Sequence, residues 1–159
     1  MPQLREVLPR IAVEFERARR YERTVTVAVF TLDPGVASVP AGTGGNGLNG
    51  AAALGGRSLA VVLASVVRQA MREIDLVTCD PAARCCVVVM PEIGLDEWRR
   101  SMTRMRQLCA ARLGCPVRAD IAVFPQDGWV FLDLVDAAQR HALADKPQPL
   151  GEAASNPAL

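Results

Sequence analysis

Short β-branched segments that alternate with amphipathic helical segments constrain the fold of this chain more than any other feature. Residues 24–32 (TVTVAVFTL) and 85–91 (CCVVVMP) carry no charge, which is typical of strands covered on both faces. Residues 117–124 form another predicted strand, and a short strand at 75–79 makes a hairpin with 85–91. A sheet with strands buried on both faces needs helices to cover it.

The intervening segments have the helical period that such a covering layer requires. Apolar residues recur three and four positions apart, with the charged residues mostly on the other faces. Helices are therefore predicted over residues 3–22, 58–72, 95–113 and 131–144. The resulting order is helix, strand, long connection, helix, hairpin, helix, strand, helix. It favours an α+β sandwich of ferredoxin-like type, in two or three layers.

The length of 159 residues indicates one domain, which we place at residues 1–146. Eight of the twelve glycines lie between residues 33 and 56, where no apolar period exists, and this segment is predicted to be a flexible loop. Residues 147–159 are polar and rich in proline and alanine, and we expect a disordered tail.

Composition excludes several classes of function. A net charge of +1 gives no general attraction to nucleic acid or to an anionic membrane, so neither is expected as a partner. We find no signal-peptide pattern and no run of 18 apolar residues, and we expect a cytoplasmic protein. The five cysteines are odd in number and lack a CxxC spacing, which argues against disulfides and zinc and favours buried thiols in a reducing compartment.

Several segments together resemble the GGDEF, or diguanylate cyclase, domain family, in the same order and over nearly the whole chain. They are FERARRYERTVTVAVFTLD, REID, CVVVMPE, VRADIAVFPQDG and DLVDAAQRHA. The resemblance implies a nucleotidyl-cyclase-type sandwich with a central mixed, mostly antiparallel sheet of about five strands, flanked by helices. That architecture agrees with the element order obtained from the residue pattern alone.

The resemblance also implies that the catalytic positions have lost their chemistry. The glycine pair and acidic residues of the GGDEF hairpin approach GTP and bind a divalent metal. The matching residues are Ala82, Ala83, Arg84, Cys85 and Cys86. A cation at the third position repels magnesium rather than binding it.

At the other family positions, too, residues that catalysis needs are replaced. Thr31 stands in place of one metal ligand, although Asp33 keeps the next acidic position. Arg57 replaces an aspartate that binds guanine, and Leu143 lies near the position of a phosphate-binding lysine. Because phosphoryl transfer needs metal, phosphate clamp and substrate orientation together, we expect no cyclase activity, no metal and no cofactor.

One family motif is retained. Arg72 and Asp75 match the RxxD motif, which in this family binds the product cyclic di-GMP at an inhibitory site. An arginine takes guanine or phosphate bidentately, and an aspartate accepts from guanine donors. Arg100 or Arg104 is the expected second phosphate contact, and Arg68 adds charge. The simpler interpretation is a surface ion pair of about 0–1 kcal/mol between Arg72 and Asp75.

Two other functions stay open. The scaffold can serve as an interaction module that docks another protein or a second copy through its N-terminal helix, or as an enzyme with altered nucleotide chemistry.

Three smaller sequence features are interpreted as structural. Strand alternation predicts one thiol of Cys85–Cys86 facing inward and one outward, and His141 is a half-buried helix residue without a ligand role. Asp120 is either a buried polar residue or an exposed strand end.

Overall fold

The computed structural model describes residues 4–32, 56–80 and 83–144, with the side chains of residues 56–58 excepted. Within these residues the chain forms four helices and four strands. In chain order they are α1 (Leu4–Tyr21), β1 (Val25–Leu32), α2 (Gly56–Ala70), β2 (Leu76–Asp80), β3 (Cys85–Pro91), α3 (Leu95–Leu113), β4 (Val117–Phe124) and α4 (Phe131–Ala144).

The four strands form one sheet in the order β2-β3-β1-β4, and every neighbouring pair is antiparallel. Strands β1 and β2 run in the same direction, but they are not neighbours because β3 lies between them. This is the βαββαβ arrangement of a ferredoxin-like sheet. Strand β1 is central and all eight of its residues are buried.

Helices cover both faces of the sheet, so the sandwich has three layers. Alternate residues of β1 point to opposite faces. Phe30 packs with α2 and α3 residues such as Leu63 and Trp98. Val27 packs with α1 and α4 residues such as Phe15 and Leu134. The two apolar faces explain why β1 and β3 contain no charge.

The structure confirms the predicted α+β class and helix-flanked antiparallel sheet. Each predicted element is found, with ends that differ by two residues at most. The sheet has four strands within the described residues, where about five were expected, and all pairings are antiparallel. Except for Gly56, the first residue of α2, the predicted loop at 33–56 lies outside the described residues, as does the predicted tail at 147–159. The single-domain boundary therefore stays a prediction.

Candidate functional site

Arg72 and Asp75 lie in the short connection between α2 and β2, and they bind each other. The carboxylate of Asp75 accepts hydrogen bonds from the Arg72 backbone N–H at 2.9 Å, from Nε at 3.3 Å and from an NH2 nitrogen at 3.0 Å. The geometry is a side-on pair in which both carboxylate oxygens are used. The Asp75 side chain is 1% exposed, whereas that of Arg72 is 47% exposed.

Two further hydrogen bonds hold the connection between α2 and β2 around Arg72 and Asp75, which we call the Arg72 corner. Arg68, one helical turn before Arg72, donates to the backbone carbonyl of Asp75 at 2.6 Å. Arg72 also donates to the carbonyl of Pro91 at the end of β3, at 3.1 Å. Arg72 is therefore anchored on two sides. Sequence reasoning found Arg68, but it missed Pro91, because that contact joins residues 19 positions apart.

The predicted second phosphate contacts are not brought to this pair. Arg100 and Arg104 are exposed residues of α3. The Nε of Arg100 donates to the carbonyl of Asp96 in its own helix, at 3.3 Å. Within the described part of the chain, neither arginine makes a hydrogen bond or ion pair with Arg72 or Asp75.

The hairpin between β2 and β3 carries a cation where the family pattern has an acid. Arg84 directly precedes β3 and adopts a left-handed backbone with φ of 55°, a conformation in which a residue other than glycine is strained. Its side chain is partly buried, and its Nε and one NH2 nitrogen find no hydrogen-bond partner among the residues that the structure describes. Ala83 donates its backbone N–H to the carboxylate of Asp80 at 3.1 Å.

The neighbouring strand supplies no metal ligand at Thr31. Thr31 lies opposite Cys85 on one side and Arg118 on the other, and it is 6% exposed. Among the residues described, no group of three or more histidine, cysteine, aspartate or glutamate side chains is placed to hold a metal ion. Asp33, Ala82 and the side chain of Arg57 lie outside the described residues.

All five cysteines are buried and free. The prediction that one thiol of Cys85–Cys86 faces outward is wrong, because β3 is a central strand with helices on both of its faces. Cys85 is 3% and Cys86 0% exposed. Burial raises the pKa of the Cys85 thiol to about 12 and that of the Cys86 thiol well above its ordinary value. These thiols are suited to packing and not to redox chemistry.

Several solved structures share this fold. A sensory box/GGDEF family protein from Caulobacter crescentus superposes with a TM-score of 0.69 at 17% identity, covering 89% of this chain and 90% of the other. The GGDEF domain of YfiN (TpbB) from Pseudomonas aeruginosa gives 0.64 at 16% identity, covering 91% and 89%. The diguanylate cyclase SiaD from Pseudomonas aeruginosa, in complex with its activator SiaC, gives 0.63 at 19% identity, covering 92% of this chain and 56% of SiaD.

The chain thus has the fold of GGDEF domains, which confirms the fold that the sequence resemblance implied. No protein-family model matches the sequence, and no curated protein sequence matches it. None of the described helices has the length and apolar character needed to cross a membrane. The cytoplasmic location stays a prediction.

Proposed function

We propose that this chain is a catalytically inactive regulatory domain of GGDEF fold that binds cyclic di-GMP through Arg72. The observation that carries the proposal is the anchored guanidinium of Arg72. Its side chain is half exposed, and its guanidinium donates hydrogen bonds to the Asp75 carboxylate and the Pro91 carbonyl. A guanidinium held in one orientation loses little conformational entropy when it binds a phosphate or a guanine edge. The retained RxxD motif thus has a physical basis for ligand binding.

The geometry changes the role of Asp75 in this proposal. Its two oxygens already accept hydrogen bonds from Arg72, and its side chain is buried. A direct contact with guanine would require this pair to open. We therefore assign ligand contact to Arg72 and a positioning role to Asp75. Arg100 and Arg104 would reach the ligand from α3 only if it extends beyond the Arg72 corner.

The inactive state is supported by the hairpin. Magnesium requires oxygen ligands, and Arg84 and Thr31 provide a guanidinium and a buried hydroxyl at two positions where the family has carboxylates. Arg84 would repel a divalent cation. With no metal to bridge the phosphates, the in-line displacement that joins two GTP molecules lacks its main electrostatic stabilisation.

Calorimetry with cyclic di-GMP tests the proposal. Wild-type protein is expected to bind at micromolar ligand, and Arg72→Ala to weaken binding by about 2 kcal/mol, the scale of a charge-assisted hydrogen-bonded contact. Arg140→Ala, an exposed arginine on α4, is the matched control and should bind as wild type. No heat from folded wild-type protein at high micromolar ligand would refute the receptor. Formation of cyclic di-GMP from GTP with magnesium or manganese would refute inactivity.

A second candidate function, self-association, is favoured by an apolar surface. A groove of about 190 Å³ lies between α1 and the start of α4, and apolar side chains form most of its wall. Leu8 and Val130 on this wall are exposed to solvent, and so are Trp129 and Leu132, which flank Val130 and Phe131 in the sequence. Contiguous exposed apolar residues are unusual on a monomer surface. One protein of similar fold, SiaD, was solved in complex with a protein activator.

Sedimentation velocity over a range of concentrations tests this second candidate. A second copy covering this surface would give a concentration-dependent dimer, and Trp129→Asp should shift it to monomer because a charge is placed in the apolar contact. Leu143→Asp, on an exposed site at the other end of α4, is the control. A monomer at every concentration would remove the self-association hypothesis.

A further inference from the structure

A cleft of about 360 Å³ lies between α3, the outer edge of β4 and the C-terminal half of α4. Its volume is in the range typical of small-molecule sites, roughly 300–1,000 Å³. Neither the Arg72 corner nor the hairpin contributes to its wall. The floor is apolar and the rim is polar, which is the composition of a ligand pocket. The floor consists of Leu95, Trp98, Met102, Ile121 and Val123.

Hydrogen-bond acceptors line the β4 side of the cleft. Strand β4 is the sheet edge, and three side chains bond its outer backbone groups. Asp120 accepts from the Ile121 N–H at 2.8 Å, and Asp127 accepts from the Val123 N–H at 2.7 Å. The Nδ1 of His141 lies 3.0 Å from the Ile121 carbonyl. These bonds fix the three side chains in place.

Each of these side chains keeps a second polar atom for a ligand. Asp120 and Asp127 each use one carboxylate oxygen, and the other makes no hydrogen bond within the described residues. Because the Nδ1 of His141 faces a carbonyl, it carries a proton, and Nε2 is an acceptor whenever the ring is neutral. This side of the cleft is thus negatively charged and suited to an ammonium group.

A cation lines the opposite side, next to a buried aromatic ring. Trp98 is 3% exposed, and its indole N–H is buried with no acceptor among the described residues, so a ligand in the cleft meets the ring and not the N–H. The ring is held edge-on against Phe30, with centroids 5.9 Å apart. The guanidinium of Arg99, one residue later on the cleft wall, is exposed and makes no ion pair among the described residues.

We propose that this cleft binds a small zwitterion with an apolar body, namely an α-amino acid with a medium-sized apolar side chain. The ammonium group lies against Asp120, Asp127 and His141. The carboxylate accepts from Arg99, and the side chain covers the apolar floor. A phosphate-bearing ligand would be repelled by the two aspartates, and a simple amine would leave Arg99 unmatched.

Binding of L-leucine and L-methionine, followed by calorimetry and thermal shift on the full chain, tests the proposal. N-acetylleucine lacks the ammonium group and leucinamide lacks the carboxylate, so each should bind at least tenfold more weakly. Glycine should bind more weakly as well, because it lacks the apolar side chain. The proposal is overturned if leucine and methionine do not bind at millimolar concentration, or if either derivative binds as well as leucine.

A substitution in the cleft wall tests whether leucine binds in this cleft. Arg99→Gln should weaken leucine binding about tenfold without changing the melting temperature, because the Arg99 side chain makes no hydrogen bond or ion pair within the described part of the chain. Arg100→Gln, the next residue on α3 but outside the cleft wall, is the matched control. Equal leucine affinity in wild type and Arg99→Gln would exclude this cleft as the binding site.

Discussion

Raising the pH above 9 is expected to destabilise this protein steeply, because its buried thiols cannot ionise in the folded state. Burial raises the pKa of Cys109 from 9.0 to about 11 and that of Cys85 to about 12, and it raises the pKa of Cys86 well above 9.0. Below pH 9 each thiol is protonated in both the folded and the unfolded chain. Above pH 9 the unfolded chain releases these protons and the folded chain keeps them.

Unfolding therefore releases protons, and rising pH favours it. Each of the three thiols should lower the free energy of unfolding by about 1.4 kcal/mol per pH unit, starting near pH 9 and ending at its own folded pKa. The sequence contains only one tyrosine and one lysine beside its five cysteines. Burial also raises the pKa of the Cys79 and Cys115 thiols, so they act in the same direction.

Urea denaturation under reducing conditions at pH 8, 9, 10 and 11 measures this dependence. In Cys109→Ala the fall in stability between pH 9 and 11 should be shallower by about 1.4 kcal/mol per unit. The slope is compared and not the absolute stability, so a constant cost of the substitution does not affect the result. An unchanged slope in this variant would show that Cys109 ionises in the folded protein.

Much of the fold could be predicted from sequence because its signals are local. The helical period of α3 and the uncharged run of β3 gave the observed residue ranges. Sheet order is a long-range property that the local pattern does not contain. For this reason the prediction that one thiol of Cys85–Cys86 faces outward was wrong. Alternation correctly places these thiols on opposite faces, but only the position of β3 between β2 and β1 shows that both faces are covered.

The same distinction applies to the candidate sites. Arg72 and Asp75 are three residues apart, so their proximity follows from the local chain. Pro91 as an acceptor for Arg72 depends on where β3 ends relative to α2. The cleft at β4 was not predicted, since Asp120 and His141 meet only at the Ile121 backbone. Asp120 is half buried, so it is intermediate between the buried polar residue and the exposed strand end that the sequence left open.

Asp75→Ala is expected to lower the free energy of unfolding by about 2 kcal/mol, because a buried residue that organises the α2–β2 connection loses its carboxylate. The Arg72 backbone N–H and two guanidinium bonds lose their acceptor together. Asp75→Asn should cost about half as much, since the amide oxygen still accepts from the backbone N–H. Asp136→Ala, at an exposed position of α4, should leave stability within about 0.5 kcal/mol of wild type.

Urea denaturation of these variants, combined with calorimetry, separates a structural ion pair from a positioned ligand contact. If Asp75 positions Arg72, then Asp75→Asn weakens cyclic di-GMP binding although the guanidinium is still present, because the side-on pair that orients it is lost. If the pair is only structural, stability falls in the same order but no ligand binds to any variant. Wild-type affinity in Asp75→Asn would contradict the positioning role, since Arg72 would then bind without its buried partner.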